Sequence, residues 1–237
     1  MAQKTYKDLV NAVLRRVRET QVGTVSESAY STLIGEYVND AKQAVEDAWN
    51  WACLRKVISF TLSAGVYTYD LSSTAIVGAG NELSERSKIQ TDPYYNTALA
   101  VDNTTGNPYY LRQYDIEWLN RQYQLMSTHP DVPFPSIFAL TTTSTAVIVN
   151  LLEKPLGPRN WQMVFKNPQA ALAGDNDVLA VPYQPVILLA TNYALAEKGE
   201  EIGQPGNEAE KKYLTSLGDA IALDSSQSPH SLTFWPD

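Results

Sequence analysis

The sequence is poor in the side chains that most often build metal sites and disulfides. It has one cysteine, Cys53, and two histidines, His129 and His230, among 237 residues. A single cysteine excludes a disulfide within the chain, and its place beside tryptophans predicts a small buried side chain in a reducing compartment. Each histidine stands alone in a polar segment beside a proline, so no histidine cluster is expected to ligate a metal. We therefore expect no metal and no other cofactor.

Long hydrophobic runs and an excess of basic residues are also missing. No run approaches the roughly 18 apolar residues of a membrane span, and the polar opening MAQKTYKDL predicts no signal peptide. With 26 acidic and 18 basic side chains, the net charge is −8. Stable binding to nucleic-acid phosphates requires a positive surface, so this balance argues against it. Transient passage of double-stranded DNA remains compatible, because a negative wall repels phosphates.

One long amphipathic stretch, residues 28–51, organises the predicted fold. Apolar residues make up 44% of the chain, and here they recur at three- and four-residue steps, the spacing of one helix face. The residues of this face that we predict to form the core of a helical bundle are Tyr37, Val38, Ala41, Trp49 and Trp51. An acidic stripe is predicted on another face of the helix, formed by Glu36, Asp40, Gln43 and Asp47.

The two ends of the chain supply the other helices of this bundle. The apolar periodicity predicts a first helix over 6–20, which carries Arg15, Arg16 and Arg18 in its last turns. Two more helices are predicted over 186–199 and from an Asn207 cap to about Leu223. We expect residues 1–56 and 178–223 to form an antiparallel helical bundle. The basic end of the first helix could contact a nucleic acid, contact a partner or remain solvated.

The middle of the chain, residues 57–177, has the patterns of a β-rich insertion. Alternating residues on both sides of Ser63-Ala64-Gly65 predict a β-hairpin, and further strands are predicted at 136–141, 146–152 and 161–166. One helix is predicted at about 113–126. The predicted fold class is therefore α+β: a helical bundle with a small sandwich-like or barrel-like β-rich insertion. An extended C-terminal tail, residues 224–237, is expected to follow.

No constellation of catalytic residues stands out. The apolar setting of Cys53 argues against a Cys-His nucleophile, and Gly78-Ala79-Gly80 lacks the third glycine and the crossover of a dinucleotide site. Paired carboxylates for glycoside hydrolysis would have to come from Glu82, Glu85, Asp92, Asp115 and Glu117, whose spacing selects no two. A sugar-stacking platform, or else a core or an interface, could be formed by Tyr94, Tyr95, Tyr109, Tyr110 and Trp118.

The tail is polar at first and then apolar at Leu232, Phe234 and Trp235. Apolar side chains of this size are costly to leave in water. Two interpretations stay open. The tail could fold back on its own bundle, or it could be an arm that inserts its aromatic side chains into a neighbouring subunit or a different protein.

Several of these patterns occur together in one family of structural proteins. The first two helices contain Tyr6-x2-Leu9-Val10-x3-Leu14 and Tyr37-Val38-Asn39-x-Ala41-x6-Ala48-Trp49-x-Trp51. The pattern Tyr67-x-Tyr69-x-Leu71, the strand at 133–140 and the helix at 182–196 follow in order. Over nearly its whole length the chain resembles the head-to-tail adaptor proteins of tailed bacteriophages, called tail tubular protein A in short-tailed phages. It departs from them in Ser72 and Ser73, where a proline and an acidic residue often stand, and in a longer loop at 76–107.

The resemblance implies a structural virion protein without catalytic residues. It implies a homo-oligomeric ring, commonly a dodecamer, made in the host cytoplasm and located at the head-tail junction. The implied partners are the portal protein and tail tube or nozzle proteins, with DNA passing during genome retention and ejection and no membrane involved. In such a ring the acidic stripe Glu36, Asp40 and Asp47 would face the channel, and Leu232, Phe234 and Trp235 would dock on the portal.

Other classes of function remain open from the sequence. The chain could be another neck or tail-completion ring protein, or a glycan-binding or hydrolytic virion protein that uses the β-rich module. It could also be a monomeric helical domain with an accessory β module. A functional acid pair would favour the hydrolytic protein, and tolerance to loss of the tail would favour the monomer.

Overall fold

A computed structural model describes residues 4–90, 97–102, 107–126, 128–199 and 204–227. The chain divides into two compact units. The helical unit comprises Met1–Leu54 with Gln169–Asp237, and the β-rich unit comprises Arg55–Pro168. The predicted α+β class is confirmed.

Six α-helices lie in the described part of the chain, and two of them, α3 and α4, belong to the β-rich unit. They are α1 (Tyr6–Arg16), α2 (Ala29–Ala48), α3 (Thr74–Val77), α4 (Ile116–Leu125), α5 (Tyr183–Glu197) and α6 (Gln204–Gln227). Thr5 begins α1 with a capping box, because its hydroxyl accepts from the Asp8 N–H while the Asp8 carboxylate accepts from the Thr5 N–H, both at 3.3 Å. Ser28 caps α2 through the Ser31 N–H at 3.0 Å.

Helices α1, α2 and α5 surround the core of the helical unit. α5 has apolar residues on most sides and buries six of them, together with Thr191, as expected for a helix surrounded by others. α6 packs against α5, and none of its described side chains is fully buried. The tyrosine rings of Tyr37 and Tyr193 meet edge to face at 6.1 Å between centroids and join α2 to α5.

Ten strands are described in the β-rich unit. They are β1 (Arg55–Leu62), β2 (Thr68–Asp70), β3 (Lys88–Ile89), β4 (Thr97–Asp102), β5 (Asn107–Gln113), β6 (Asp131–Val132), β7 (Ile137–Thr142), β8 (Val147–Leu151), β9 (Lys154–Pro155) and β10 (Arg159–Lys166). The main sheet has the order β1-β10-β4-β5-β7-β8-β2, with β3 also paired to β10, and β6 pairs separately with β9. All pairs of the main sheet are antiparallel except β5 with β7.

Alternation along the strands places one face of this sheet in the core. Ile58, Phe60 and Leu62 of β1 are buried, and their registered partners on β10 include Trp161 and Met163. Residues two apart in a strand point to the same face of the sheet. The buried residues of β1 and β10 therefore lie on one face, and that face forms part of the core. Among the described strands the path has two ends, β1 and β2, and does not close into a barrel.

The predicted hairpin at residues 57–69 is wrong in its pairing, although both strands exist. β1 pairs with β10 and β2 pairs with β8, at opposite ends of the sheet path. The hydroxyl of Tyr69 accepts from the Ser63 N–H at 3.0 Å and donates to the Val66 carbonyl at 2.8 Å. These hydrogen bonds stabilise the turn between the two strands. Residues 63–67 therefore connect β1 and β2, which are the first and last strands of the sheet order.

The last helix is longer than predicted at both ends. It begins at Gln204 rather than after an Asn207 cap, and it continues to Gln227 rather than ending near Leu223. The hydroxyls of Ser225 and Ser226 donate to the carbonyls of Ala222 and Leu223, at 3.0 and 2.8 Å. Serine can therefore remain in a helical turn here, although serine and aspartate favour helix ends in general. Residues 224–227 are helical and not an extended tail.

Gly35 of α2 lies so close to the side chain of Tyr6 that we expect no larger residue to fit at this position. A Cβ at Gly35 would overlap the hydroxyl of Tyr6, a core residue that is only 6% exposed. Gly35→Ala should therefore lower the free energy of unfolding by about 1–3 kcal/mol. Gly218→Ala on α6 is the control, since nothing lies within 4 Å of its added Cβ, and it should raise stability by about 0.5–1 kcal/mol. Denaturant unfolding of both variants measures the contrast, and equal effects would contradict it.

Candidate interaction surfaces

The acidic stripe of α2 is exposed to solvent. Glu36, Asp40, Gln43 and Asp47 are all exposed, whereas Val38, Ala41 and Val45 on the opposite face are fully buried. At 3.6 residues per turn, the three carboxylates fall within roughly 40° of arc over a length of about 16 Å. α2 therefore presents a continuous negative line on the side that faces away from its own core.

The five residues expected in the bundle core occupy two kinds of position. Val38, Ala41 and Trp51 are 0% exposed, and the indole Nε1 of Trp51 donates to the Val45 carbonyl at 2.6 Å. Tyr37 and Trp49 are half-buried and pack against the core cluster. Trp51 therefore packs in the core at the C-terminal end of α2, and the one polar atom of its side chain has a hydrogen-bond partner.

Periodicity did not reveal a buried ion pair on the inner side of α2. Lys42 is 2% exposed and Glu46 is 0% exposed, and the Lys42 Nζ lies 3.2 Å from the Glu46 Oε1. The same two atoms bind an extended segment: Nζ donates to the Gln169 carbonyl at 2.7 Å, and Oε1 accepts from the Gln169 N–H at 3.2 Å. A charged pair can remain buried when its members also satisfy other polar groups. The signal available in the sequence was that positions 42 and 46 follow Val38 on the apolar face.

Asn39 binds the same segment one turn earlier. Its Oδ1 accepts from the Leu172 N–H at 2.8 Å, and its Nδ2 donates to the Leu172 carbonyl at 3.0 Å. Asn39, Lys42 and Glu46 therefore supply the backbone partners that a neighbouring strand would supply. We call residues 169–172 the strap. The sequence pattern predicts that residues 169–177 belong to the β-rich insertion, whereas these bonds attach the strap to α2.

The chain that follows the strap turns tightly before α5. The N–H groups of Ala173 and Gly174 donate to the Asp177 Oδ2, at 2.8 and 2.7 Å, and hold the pKa of Asp177 below its ordinary value. The Asp177 carbonyl accepts from the Tyr6 N–H at 2.8 Å. This turn therefore joins the strap to the start of α1.

The C-terminal turn of α6 is attached to the end of α2. The Trp49 Nε1 donates to the Asp224 Oδ2 at 3.0 Å, and the Ala52 N–H donates to both Asp224 oxygens at 3.3 Å. The chain after α6 therefore starts from a fixed point. Residues Leu232, Phe234 and Trp235, predicted to be a docking arm, lie outside the described residues.

A groove lined by both basic and acidic side chains runs between α6, α5 and the end of α1. It encloses about 880 Å³, and its lining includes Leu188, Leu195, Arg16, Lys211 and Lys212. Partial burial lowers the pKa of Arg16, and the neighbouring Arg15 lowers it further. Glu208 and Asp219 also line the groove, so it is mixed in charge and not a simple anion site.

The histidine and cysteine positions offer no catalytic pair in the described residues. His129 is stacked on Tyr67 and meets Tyr123 edge to face, and its Nδ1 lies 3.1 Å from the Leu152 carbonyl. Cys53 is exposed, so the expectation of a buried side chain is wrong, because Cys53 follows the buried Trp51 on a short surface turn. Local desolvation and Asp224 raise the pKa of its thiol, which disfavours the nucleophilic thiolate. Within the described chain no cluster of side chains could hold a metal ion.

The structure describes some of the carboxylates and aromatic residues that were considered for a sugar site. Glu85, Asp115 and Glu117 are exposed, and Glu82 is half-buried. Trp118 stacks on Tyr114 with 4.1 Å between ring centroids, so one face of its indole is already covered. Asp92, Tyr94 and Tyr95 lie outside the described residues.

Two comparisons with known proteins bear on the chain as a whole. A protein-family model described as SU10 adaptor protein matches residues 4–233. No curated protein matches the sequence. Of the helices that the structure describes, none combines the length and apolar character needed to cross a bilayer.

Proposed function

The chain belongs to the SU10 adaptor protein family of phage head-tail adaptors, and we propose that it forms a ring that joins the portal to the tail. Adaptors are structural proteins of the virion neck. We propose a homo-oligomeric ring, with twelve copies as the working number, through which DNA passes during retention and ejection. It would be made in the host cytoplasm and carry no catalytic activity.

The exposed acidic stripe of α2 is the observation that supports a channel-lining role best. Its three carboxylates lie in one line on a helix whose other side is buried. Facing a DNA channel, such a line would repel phosphates and leave the duplex free to slide. We propose that Glu36, Asp40 and Asp47 face the lumen of the ring.

The attachment of α6 supports the proposal of a C-terminal docking arm. Asp224 fixes the end of α6 to Trp49 and Ala52, so the residues that follow start at a defined place on every copy. We propose that Leu232, Phe234 and Trp235 insert into the portal, since large apolar side chains are frequent anchors of protein interfaces. We also propose that the two units act as separate domains, with the β-rich unit available to tail tube or nozzle proteins.

Mass measurement by light scattering tests the ring directly. Full-length protein should be measured alone and after mixing with purified portal protein from the same virion. We expect a portal-dependent particle with many copies of the chain on each portal. A protein that stays monomeric and does not bind the portal would refute the adaptor function for this chain.

Reversing the charge of the stripe should make an assembled ring bind DNA. The triple variant Glu36→Lys, Asp40→Lys and Asp47→Lys removes the repulsion of phosphates and adds attraction, so retention of double-stranded DNA should rise at least tenfold at low salt. The control reverses as many exposed charges in the β-rich unit, at Glu85, Asp115 and Glu117. Filter binding of portal-ring assemblies measures both. Equal DNA retention in the two variants would argue against a lumenal stripe.

A further inference from the structure

Three segments of the β-rich unit meet in one exposed surface. We call residues 63–67, 131–136 and 153–159 the three-segment surface. The Gly65 N–H donates to the Pro155 carbonyl, and the Leu156 N–H donates to the Val132 carbonyl, each at 3.0 Å. These bonds join all three segments through their backbones, so their side chains share one surface whose geometry is fixed.

Four large apolar side chains of this surface are exposed to solvent. Val66 is 40% exposed, Tyr67 36%, Phe134 45% and Leu156 59%. Connecting segments are normally rich in glycine, asparagine, aspartate and serine, which suit turns and water. Large apolar side chains that are exposed close together on a folded protein are typical of an interaction site. The three-segment surface is therefore expected to be covered in the working assembly.

The charges of the three-segment surface are balanced, and three of the four charged side chains have a partner that the structure describes. It contains two acidic residues, Asp131 and Glu153, and two basic residues, Lys154 and Arg159, whereas the whole chain has 26 acidic and 18 basic residues. The Arg159 guanidinium lies 4.2 Å from the centroid of the Phe134 ring, and the Lys154 Nζ lies 5.7 Å from that of Tyr67. The Glu153 Oε2 accepts from the Ser136 N–H at 2.6 Å. The free-energy cost of removing water from a charged side chain is smaller when that side chain already has such a partner.

The equal numbers of acidic and basic residues on the three-segment surface favour a partner with an acidic surface. Copies of a chain with a net charge of −8 repel one another over most of their surface. At the three-segment surface the repulsion is absent, and two cations lie beside exposed apolar groups. A surface with excess carboxylates is electrostatically complementary to those cations, and every copy of this acidic chain offers such a surface.

We propose that a second copy of the chain covers the three-segment surface in the assembled ring. The inference rests on the proposed ring and identifies one of its contacts. A closed ring of identical copies requires that each contact join two different surfaces, so the three-segment surface meets another part of the neighbour. A stable interface takes about 800 Å² from each partner. Val66, Tyr67, Phe134 and Leu156 would form the apolar centre of that area.

Leu156→Glu tests the contact, with Val57→Glu as the matched control. Both side chains are 59% exposed and lie in the β-rich unit, but Val57 is outside the three-segment surface. Ring formation on purified portal is measured by light scattering over a concentration series. Leu156→Glu should raise the concentration for half-assembly at least tenfold, and Val57→Glu should leave it unchanged. Phe134→Ser is a second variant, and thermal unfolding of each monomer checks the fold.

A carbodiimide cross-linker supplies an independent reading. It joins a lysine to a carboxylate in direct contact, and mixing isotope-labelled with unlabelled copies separates links between copies from links within one. We expect Lys154 to be joined to a carboxylate of another copy in wild-type rings.

Each further outcome is decisive. Normal assembly of Leu156→Glu and Phe134→Ser, or Lys154 links only within a copy, would overturn this contact and leave the ring intact. Wild-type binding to anionic phospholipid vesicles that is lost in Leu156→Glu, with assembly retained, would overturn it in favour of a lipid surface. Absence of any wild-type assembly would refute the proposed ring and this contact together.

Discussion

Replacing Lys42 by methionine is expected to lower the free energy of unfolding by about 3–5 kcal/mol. The change removes the ammonium that lies 3.2 Å from the Oε1 of Glu46, whose side chain is 0% exposed, and it leaves the Gln169 carbonyl without the Nζ that lies 2.7 Å away. Methionine fills much of the lysine volume, so lost packing contributes little. For a chain of this length the melting temperature should fall on the order of 10 °C.

The double variant Lys42→Met with Glu46→Leu separates the charge effect from the role of the strap. It removes the uncompensated charge, so its cost should be well below the sum of the two single variants. It should still exceed zero, because the N–H and carbonyl of the half-buried Gln169 lose the partners that α2 provides, and a typical hydrogen bond contributes about 0.5–1.5 kcal/mol net.

Denaturant unfolding of the three variants measures this coupling, and Gln43→Met is the control. Gln43 lies between these residues in sequence but is exposed on α2, so its replacement should change stability by less than about 0.5 kcal/mol. Additive costs for Lys42 and Glu46 would contradict a coupled buried pair. A control that is as unstable as Lys42→Met would show that the effect is one of helix propensity.

The periodicity of residues 28–51 predicts much of this structure because an amphipathic helix carries its own orientation. Val38 and Ala41 are fully buried and Asp40 is exposed, as expected for opposite faces of one helix. The burial of Lys42 and Glu46 was not predicted from the sequence. Their positions on the apolar face required burial, and the groups that compensate it come from Gln169, far along the chain.

Strand pairing was less accessible than strand position. The alternation in β1 and β10 indicates strands, but a strand pattern contains no information about its neighbour. Ser63-Ala64-Gly65 suggested that β1 and β2 pair, whereas Phe60 pairs with Trp161 about a hundred residues later. Such a long-range pairing is decided by core packing across the whole sheet, which local sequence patterns do not describe.

Removing residues 228–237 is expected to abolish portal-dependent assembly while leaving the fold intact. A chain that ends at Gln227 retains Asp224 and therefore the bonds to Trp49 and Ala52. Its melting temperature should stay within about 2 °C of that of the full-length protein, because the helical unit keeps its buried core and the attachment of Asp224 to α2. Ending the chain before Asp224 would also break that attachment and confuse the two effects.

The loss should come from the apolar side chains of the arm. Each large interface anchor contributes on the order of 2 kcal/mol when truncated, without strict additivity, so losing Leu232, Phe234 and Trp235 should weaken portal binding at least about a hundredfold. A full-length variant with serine at these three positions should reproduce the truncation. Replacing the neighbouring Ser231 and Thr233 by alanine is the control and should leave binding nearly unchanged.

Surface plasmon resonance on immobilised portal measures all four proteins. Full binding by the truncated chain would show that the portal contact lies elsewhere on the helical unit, and weak binding by the alanine control would show that the hydroxyl groups of Ser231 and Thr233 contribute to the contact as well as the apolar anchors.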